Sequence, residues 1–285
     1  MNNAVEIKGL KKSYPEFDLN IDELKIPSGA VIGLIGENGA GKTTFLKSIL
    51  NIVKKDSGEI KIFEKDSEEH ELEIKEDIGV VLDNTFFPEM LNAKNIDFIM
   101  KDIYRNWDSQ LFYQYLKEFG IKDNQNLKTM SKGMRKKVEI ATALSHHPKL
   151  LVLDEATSGL DPIVRNEIVD LFLDFIKDED HTVILSTHIT SDLEHISDYI
   201  IFIDKGKIVL EKSRDEIMDD YGILKCDIDQ FKNIDKEDIV SFKKNKYDYE
   251  ILTDHRNKCQ KKYTDFIVDN ITLEDLMLLI IKGEK

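Results

Sequence analysis

The chain has 285 residues, of which 41% are hydrophobic and 33% are charged, and its formal net charge is -15. This composition is typical of a folded protein with a sizeable core, and it excludes a disordered chain. The acidity also argues against general nucleic-acid binding, because proteins of that class normally present a basic face.

Two further features limit the class of protein. The longest aliphatic run, Leu276–Ile281, is far shorter than the ~20 residues that a membrane helix needs, and the N-terminus has no apolar signal-peptide core. We therefore expect no segment to cross a membrane. The two cysteines, Cys226 and Cys259, are too few for a zinc cluster and are predicted to be reduced thiols.

In chain order, short apolar runs alternate with amphipathic stretches, which is typical of an α/β protein. Residues 90–143 contain helical patterns and are interpreted as a helical insertion, and a later helix is expected to open at Pro162. The predicted strands are Val5–Lys8, Val31–Ile35, Ile60–Phe63, Ile78–Leu82, Leu150–Leu153, Val183–Ser186, Ile200–Asp204 and Lys207–Leu210.

The composition changes after Tyr221, where Lys, Asp and Asn become frequent and the apolar segments become short. A final apolar helix is predicted over Leu273–Ile281. We therefore predict two regions, a main domain over residues 1–220 and a small α+β appendage over residues 221–285.

The segment GENGAGKTT, Gly36–Thr44, fits the pattern G-x-x-x-x-G-K-[ST] and lies between a predicted strand and a predicted helix. Glycines let consecutive N–H groups turn inward towards phosphate, and the helix N-terminus adds partial positive charge. Lys42 would reach the β- and γ-phosphates of a nucleotide, and the Thr43 hydroxyl would ligate Mg²⁺. The predicted nucleotide-binding residues here are Gly36, Glu37, Asn38, Gly39, Ala40, Gly41, Lys42, Thr43 and Thr44.

The segment LLVLDEATSGLDP delivers Asp154 and Glu155 at the carboxyl end of a buried strand, where ligands collect in parallel sheets. Asp154 is predicted to hold magnesium, and Glu155 to polarise the attacking water. A second buried strand, TVILSTH, ends in His188. A histidine at such a position is most often a surface or helix-capping residue. The sequence alone therefore leaves open whether His188 has that structural role or a functional one.

With these residues in hand, the chain resembles the nucleotide-binding subunits of ABC transporters over about residues 4–215. The resemblance implies a P-loop NTPase core of ABC-ATPase type, with an antiparallel β subdomain and a helical subdomain. It implies Glu155 as general base, His188 as the switch histidine at the γ-phosphate and Ser158–Asp161 as a loop that communicates across a dimer. Tyr14 matches the aromatic residue that stacks on adenine; an ordinary strand-edge tyrosine is the alternative.

MSKGMRKK, residues 130–137, aligns with the family signature, usually written LSGGQ. Ser131 and Gly133 match, whereas Lys132 replaces a glycine and Met134 a glutamine. The resemblance implies that Ser131, Gly133 and Met134 cap the γ-phosphate of ATP held by the opposite subunit of a head-to-tail dimer. Lys132 would pair with phosphate or face solvent, and residues 135–137 are expected on an exposed helix face or at a subunit contact.

Asp83 stands where the family has a glutamine that reaches the magnesium. An aspartate there would ligate Mg²⁺ directly or would point away from it. This substitution, the SKG-type signature and the small appendage resemble the bacterial ABC-2-type export ATPases.

The resemblance implies a Mg²⁺-dependent ATPase on the cytoplasmic face of the membrane, coupled to a separate permease subunit and paired with a second, identical or different, ATPase subunit. A soluble ABC ATPase acting on nucleic acid or ribosomes is a weaker alternative, because only about 110 residues separate the phosphate loop from the acid pair and no sustained heptads occur. A regulatory module that holds ATP without turnover is the third reading.

Overall fold

A computed structural model describes residues 2–83 and 87–284. The strands are β1 (Asn3–Tyr14), β2 (Phe17–Pro27), β3 (Val31–Ile35), β4 (Ser57–Ile62), β5 (Lys65–Asp66), β6 (Ile78–Val81), β7 (Leu150–Asp154), β8 (Thr182–Ser186), β9 (Tyr199–Asp204), β10 (Lys207–Ser213), β11 (Gly222–Asp227), β12 (Ser241–Lys244), β13 (Asp248–Thr253) and β14 (Ile267–Asn270). The α-helices are α1 (Lys42–Ile49), α2 (Glu71–Glu76), α3 (Ala93–Ile103), α4 (Ser109–Glu118), α5 (Lys132–Leu144), α6 (Pro162–Phe175), α7 (Thr190–Ile196), α8 (Arg214–Asp220), α9 (Ile228–Phe231), α10 (Arg256–Lys262) and α11 (Leu273–Lys282).

The central sheet has the strand order β10-β9-β3-β8-β7-β6, with β10 antiparallel and the other strands parallel. Every residue of β3, β7 and β8 is buried. Strands buried on both faces read as continuous apolar runs, which is why these three were predictable from the sequence. The mixed α/β architecture that the sequence predicts is confirmed.

Two apolar clusters cover the two faces of this sheet. One contains α1 residues and the antiparallel sheet β2-β1-β4-β5. The other contains residues of α5, α6, α7 and, from far along the chain, α11. Each helix of the described residues is too short or too polar to cross a membrane.

Strand β2 was not predicted. Its buried positions are Leu19, Ile21, Leu24 and Ile26, so the alternation changes phase at Asp22–Glu23. A change of phase defeats a search for period-two patterning. Pairing with β1, from Tyr14↔Phe17 to Asn3↔Pro27, forms the strand in spite of its polar sequence.

Helices α3, α4 and α5 share an apolar cluster of their own within the region predicted to be a helical insertion. The C-terminal unit, which we define as residues 222–284, contains the antiparallel sheet β12-β13-β11-β14 and helices α9–α11. The predicted final helix is present as α11. The division of the chain into domains at residue 220 stays a prediction.

Candidate nucleotide site

The glycine-rich loop joins β3 to α1, as the motif predicts. At Gly36, φ is 156°, and a Cβ atom there would lie 2.3 Å from the Ile203 carbonyl oxygen, so a side chain is excluded. The buried Lys42 Nζ donates hydrogen bonds to the carbonyl oxygens of Gly36 (2.7 Å) and Glu37 (3.1 Å). The lysine is thus held inside the loop that it would share with phosphate.

Burial lowers the pKa of Lys42, and the negative charges of Glu155 and Asp154 oppose that shift. The buried ammonium therefore faces the acid pair as well as the loop. A bound phosphate would add negative charge and so favour the protonated form of Lys42.

The second contact joins this loop to β7. The Thr43 hydroxyl donates a 2.8 Å hydrogen bond to Asp154 Oδ2. Asp154 is only 1% exposed, and its Oδ1 has no hydrogen-bond partner among the described residues. A buried carboxylate oxygen without a partner is costly, and the oxygen atoms of Thr43 and Asp154 are of the kind that Mg²⁺ prefers. The residues present therefore fit a magnesium ion.

Glu155 and His188, which are 33 positions apart in the chain, meet at the ends of β7 and β8. His188 Nδ1–H donates to Glu155 Oε2 over 2.6 Å. Glu155 has φ +52°, in the left-handed region that non-glycine residues rarely occupy, and its N–H donates to the Ser186 carbonyl oxygen (2.9 Å). Strained backbone of this kind is frequent at functional sites.

An open cleft of about 600 Å³ lies above these groups. Asp83, just beyond β6, is exposed and lies on the same carboxyl edge of the sheet. The lining residues are Gly36, Glu37, Asn38, Asp83, Glu155, Ser158, His188 and Met277. Of these, only Met277 was not singled out by the sequence, since it lies in α11 and belongs to no motif.

Tyr14 is 41% exposed at the tip of the β1–β2 hairpin, where it pairs with Phe17. A Cβ atom on Gly41 would lie 2.7 Å from Phe17 Cζ, so this hairpin tip touches the start of α1. Phe17 was missed because its strand was missed. The Tyr14 ring centroid lies 6.5 Å from that of Phe17, so Tyr14 neighbours the ring that contacts Gly41.

The signature residues stand at the start of α5. Ser131 is the N-cap, and its hydroxyl accepts a 3.2 Å hydrogen bond from Met134 N–H. Lys132 is exposed, and its Nζ would lie 2.9 Å from a Cβ atom on Gly159. Lys132 therefore reaches over the loop of its own chain at Gly159.

The structure corrects the prediction for the rest of the basic stretch. Residues 135–137 were expected on an exposed helix face or at a subunit contact, but Arg135 is half-buried, Lys136 is only 2% exposed and Lys137 is also buried within the chain itself. Lys136 Nζ donates to the Leu82 carbonyl oxygen (2.8 Å) and pairs with Glu139 Oε2 (2.9 Å). Lys137 pairs with Glu167. Buried lysines need such partners, and the sequence of the stretch does not reveal them.

Comparison with known proteins identifies the family to which the chain belongs. A family model described as "ABC transporter" matches residues 19–158. The lantibiotic transport ATP-binding protein SrtF of Streptococcus pyogenes is 38% identical over 74% of this chain and 91% of its own length. The bacitracin transport ATP-binding protein BcrA of Bacillus licheniformis is 32% identical over 73% of this chain and 67% of its own length.

Among solved structures, cbiO1 from Clostridium perfringens, part of the ABC transporter complex cbiONQ, matches with a TM-score of 0.63 and 27% identity over 76% of this chain and 91% of that one. An ATP-binding subunit of an ABC transporter matches with a TM-score of 0.67 at 23% identity, over 75% of this chain and 91% of that one, and supports the fold. The chain therefore belongs to the ATP-binding proteins of ABC transporters, and it is an ATPase.

Proposed function

We propose that this ATPase hydrolyses Mg·ATP in the cleft between the glycine-rich loop and the ends of β7 and β8. The observation that carries the proposal is the convergence of Lys42, Thr43, Asp154 and the Glu155–His188 pair at one edge of the sheet. Lys42 would leave its loop carbonyl partners to bind the β- and γ-phosphates. Glu155 would orient the attacking water and accept its proton, and His188 would bind the γ-phosphate.

Mg²⁺ would be held by the Thr43 hydroxyl and Asp154, whose unpartnered Oδ1 supports this assignment. The ion would neutralise charge on the phosphates. We also propose that Asp83 acts near the ion, since it lines the same cleft as Glu155. Its carboxylate would strengthen the attraction to Mg²⁺ relative to the amide usual at this position.

We further propose a head-to-tail dimer in which Ser131, Gly133 and Met134 complete the site of the partner subunit. These three residues stand at the start of α5, and the resemblance to the family signature supports their role in trans. The N-terminus of α5, capped by Ser131, offers N–H groups and partial positive charge to a phosphate. Tyr14 would stack on the adenine ring beside the loop.

We propose that the dimer works on a separate membrane permease at the cytoplasmic face, and that it serves export. The names of SrtF and BcrA, both transport ATP-binding proteins, support a transport role, and the ABC-2 resemblance supports the direction. The net charge of -15 disfavours nucleic acid as the partner. The test is to purify the tagged full-length chain from membranes. An integral membrane protein that co-purifies and stimulates Mg²⁺-dependent ATP hydrolysis is expected; recovery with ribosomes or nucleic acid instead would contradict the proposal.

A further inference from the structure

Helix α11 reaches the catalytic cleft from the far end of the chain. Its residues Leu273, Leu276 and Leu279 are buried in the apolar cluster that covers the central sheet, together with Leu193 and Ile196 of α7. The C-terminal unit is thus joined to the core by its last helix, through the same cluster that supports the catalytic strands.

A polar contact fixes the start of α11 on α7. The Leu273 N–H donates a 2.7 Å hydrogen bond to Glu194 Oε1, so a carboxylate of α7 sits at the N-terminus of α11. Negative charge is favoured at that position by the orientation of the helix dipole. The register of α11 along α7 is therefore set by both packing and charge.

Helix α7 is in turn tied to the catalytic loop. It begins two residues after His188. Its buried Asp192 accepts a 3.0 Å hydrogen bond from the Thr157 hydroxyl, in the loop between Glu155 and Ser158. One short helix thus contacts the segment after the acid pair, follows the histidine and supports α11.

Met277 links α11 directly to the cleft. It lies one turn after Leu273, is half-buried and lines the cleft together with Glu155, Ser158 and His188. A thioether carries no charge and transfers no proton, so its contribution is packing and exclusion of water. His188 needs such support, because its side chain is 54% exposed.

We propose that Met277 is a positioning residue of the ATPase site, and that the C-terminal unit, through α11 and α7, holds His188 and Glu155 in their catalytic arrangement. The inference rests on the roles proposed for those two residues. Small displacements of catalytic groups cost far more in turnover than in substrate affinity. The C-terminal unit is therefore a part of the active site as well as an appendage.

The test uses the full-length chain with Met277→Ala, Met277→Leu and Leu278→Ala, the last being the exposed neighbour on the same helix. For Met277→Ala we expect kcat to fall about tenfold, with KM for ATP and the thermal midpoint little changed. Met277→Leu restores most of the turnover, since it refills the space, and Leu278→Ala keeps it.

Unchanged kcat in Met277→Ala would overturn the inference, as would an equal loss in Leu278→Ala, which would indicate general loosening of α11. A loss that appears in KM rather than in kcat would also count against positioning. Glu155→Gln, assayed in parallel, distinguishes a failure of the proposed site from a failure of the role of Met277. If it retains full turnover, the proposed site itself is wrong; if it loses turnover while Met277→Ala does not, only the role of Met277 is wrong.

Discussion

The imidazole of His188 lies 2.6 Å, Nδ1 to Oε2, from the carboxylate of Glu155. With Nδ1 as the donor to a carboxylate, a neutral ring keeps an acceptor at Nε2, and only protonation would make it a second donor. The contact fixes one oxygen of Glu155 and leaves the other to meet a water molecule. The base and the histidine are therefore expected to act as a coupled pair.

Glu155→Gln is expected to slow ATP hydrolysis by about 10²- to 10⁴-fold, because an amide accepts no proton from water. Binding of ATP should persist, and the ATP-bound dimer should accumulate and be detected by light scattering. Glu179→Gln, which changes an exposed carboxylate, is the control and should behave as wild type. A Glu155→Gln variant that stays monomeric with ATP and the permease present would argue against the dimer.

Lys42→Ala is expected to abolish turnover, mainly through lost nucleotide binding. Removing a charge-assisted hydrogen-bond donor to phosphate should weaken ATP affinity by about 10- to 100-fold. Lys47→Ala, in the last turn of the same helix, is the matched control. Titration with a fluorescent nucleotide measures the nucleotide affinity of both variants. Equal affinities of Lys42→Ala and Lys47→Ala would show that Lys42 does not bind the nucleotide.

Asp83→Asn is expected to raise the Mg²⁺ concentration at half-maximal activity by about three- to tenfold, because a carboxylate attracts the ion more strongly than an amide does. The measurement is a Mg²⁺ titration of ATPase activity at saturating ATP. Asp123→Asn, in the helical region, serves as the control. An unchanged titration curve would mean that Asp83 points away from the metal.

The sequence was most informative where structure and chemistry depend on neighbouring residues. Strands β3, β7 and β8 are recognisable as continuous apolar runs because both faces of each strand are buried. The loop at Gly36–Thr44 is recognisable because phosphate binding needs glycines and a lysine at fixed spacing. Lys136 and Met277 are different. Their environments are made by Leu82 and by the packing of α11 on α7, contacts between residues distant in sequence that no local pattern encodes.

The environment of Asp238 predicts that this residue makes a pH-dependent contribution to the stability of the C-terminal unit. Burial raises its pKa, but hydrogen bonds from Lys262, Tyr263 and Lys258 outweigh burial and lower the pKa to about 2. A lowered folded-state pKa stabilises the fold above the ordinary value of 3.8, and that stabilisation is lost as pH falls from there towards 2.

Asp238→Asn should therefore lower the free energy of unfolding at neutral pH by about 2–3 kcal/mol, since the buried carboxylate would lose its charge-assisted hydrogen bonds from Lys258, Lys262 and Tyr263. The difference from wild type should shrink below about pH 4. Asp235→Asn removes an exposed carboxylate that also pairs with Lys262, and it should cost less than about 1 kcal/mol. Urea unfolding followed by circular dichroism distinguishes them, and equal losses would contradict the assigned roles.

Two glycines near the signature should respond to alanine with opposite signs. Gly159 has φ +67°, so Gly159→Ala should destabilise the fold by about 1 kcal/mol, whatever space is available. The end of the flexible Lys132 side chain can move, so Lys132→Ala should not rescue it. Gly133 lies in the first turn of α5 with its nearest contact at 3.5 Å, to Val164 Cγ1, and Gly133→Ala should be neutral or gain up to about 1 kcal/mol. Urea unfolding of the three single variants and the Lys132→Ala, Gly159→Ala double variant decides the matter; rescue in the double variant would show that Lys132 holds the loop sterically.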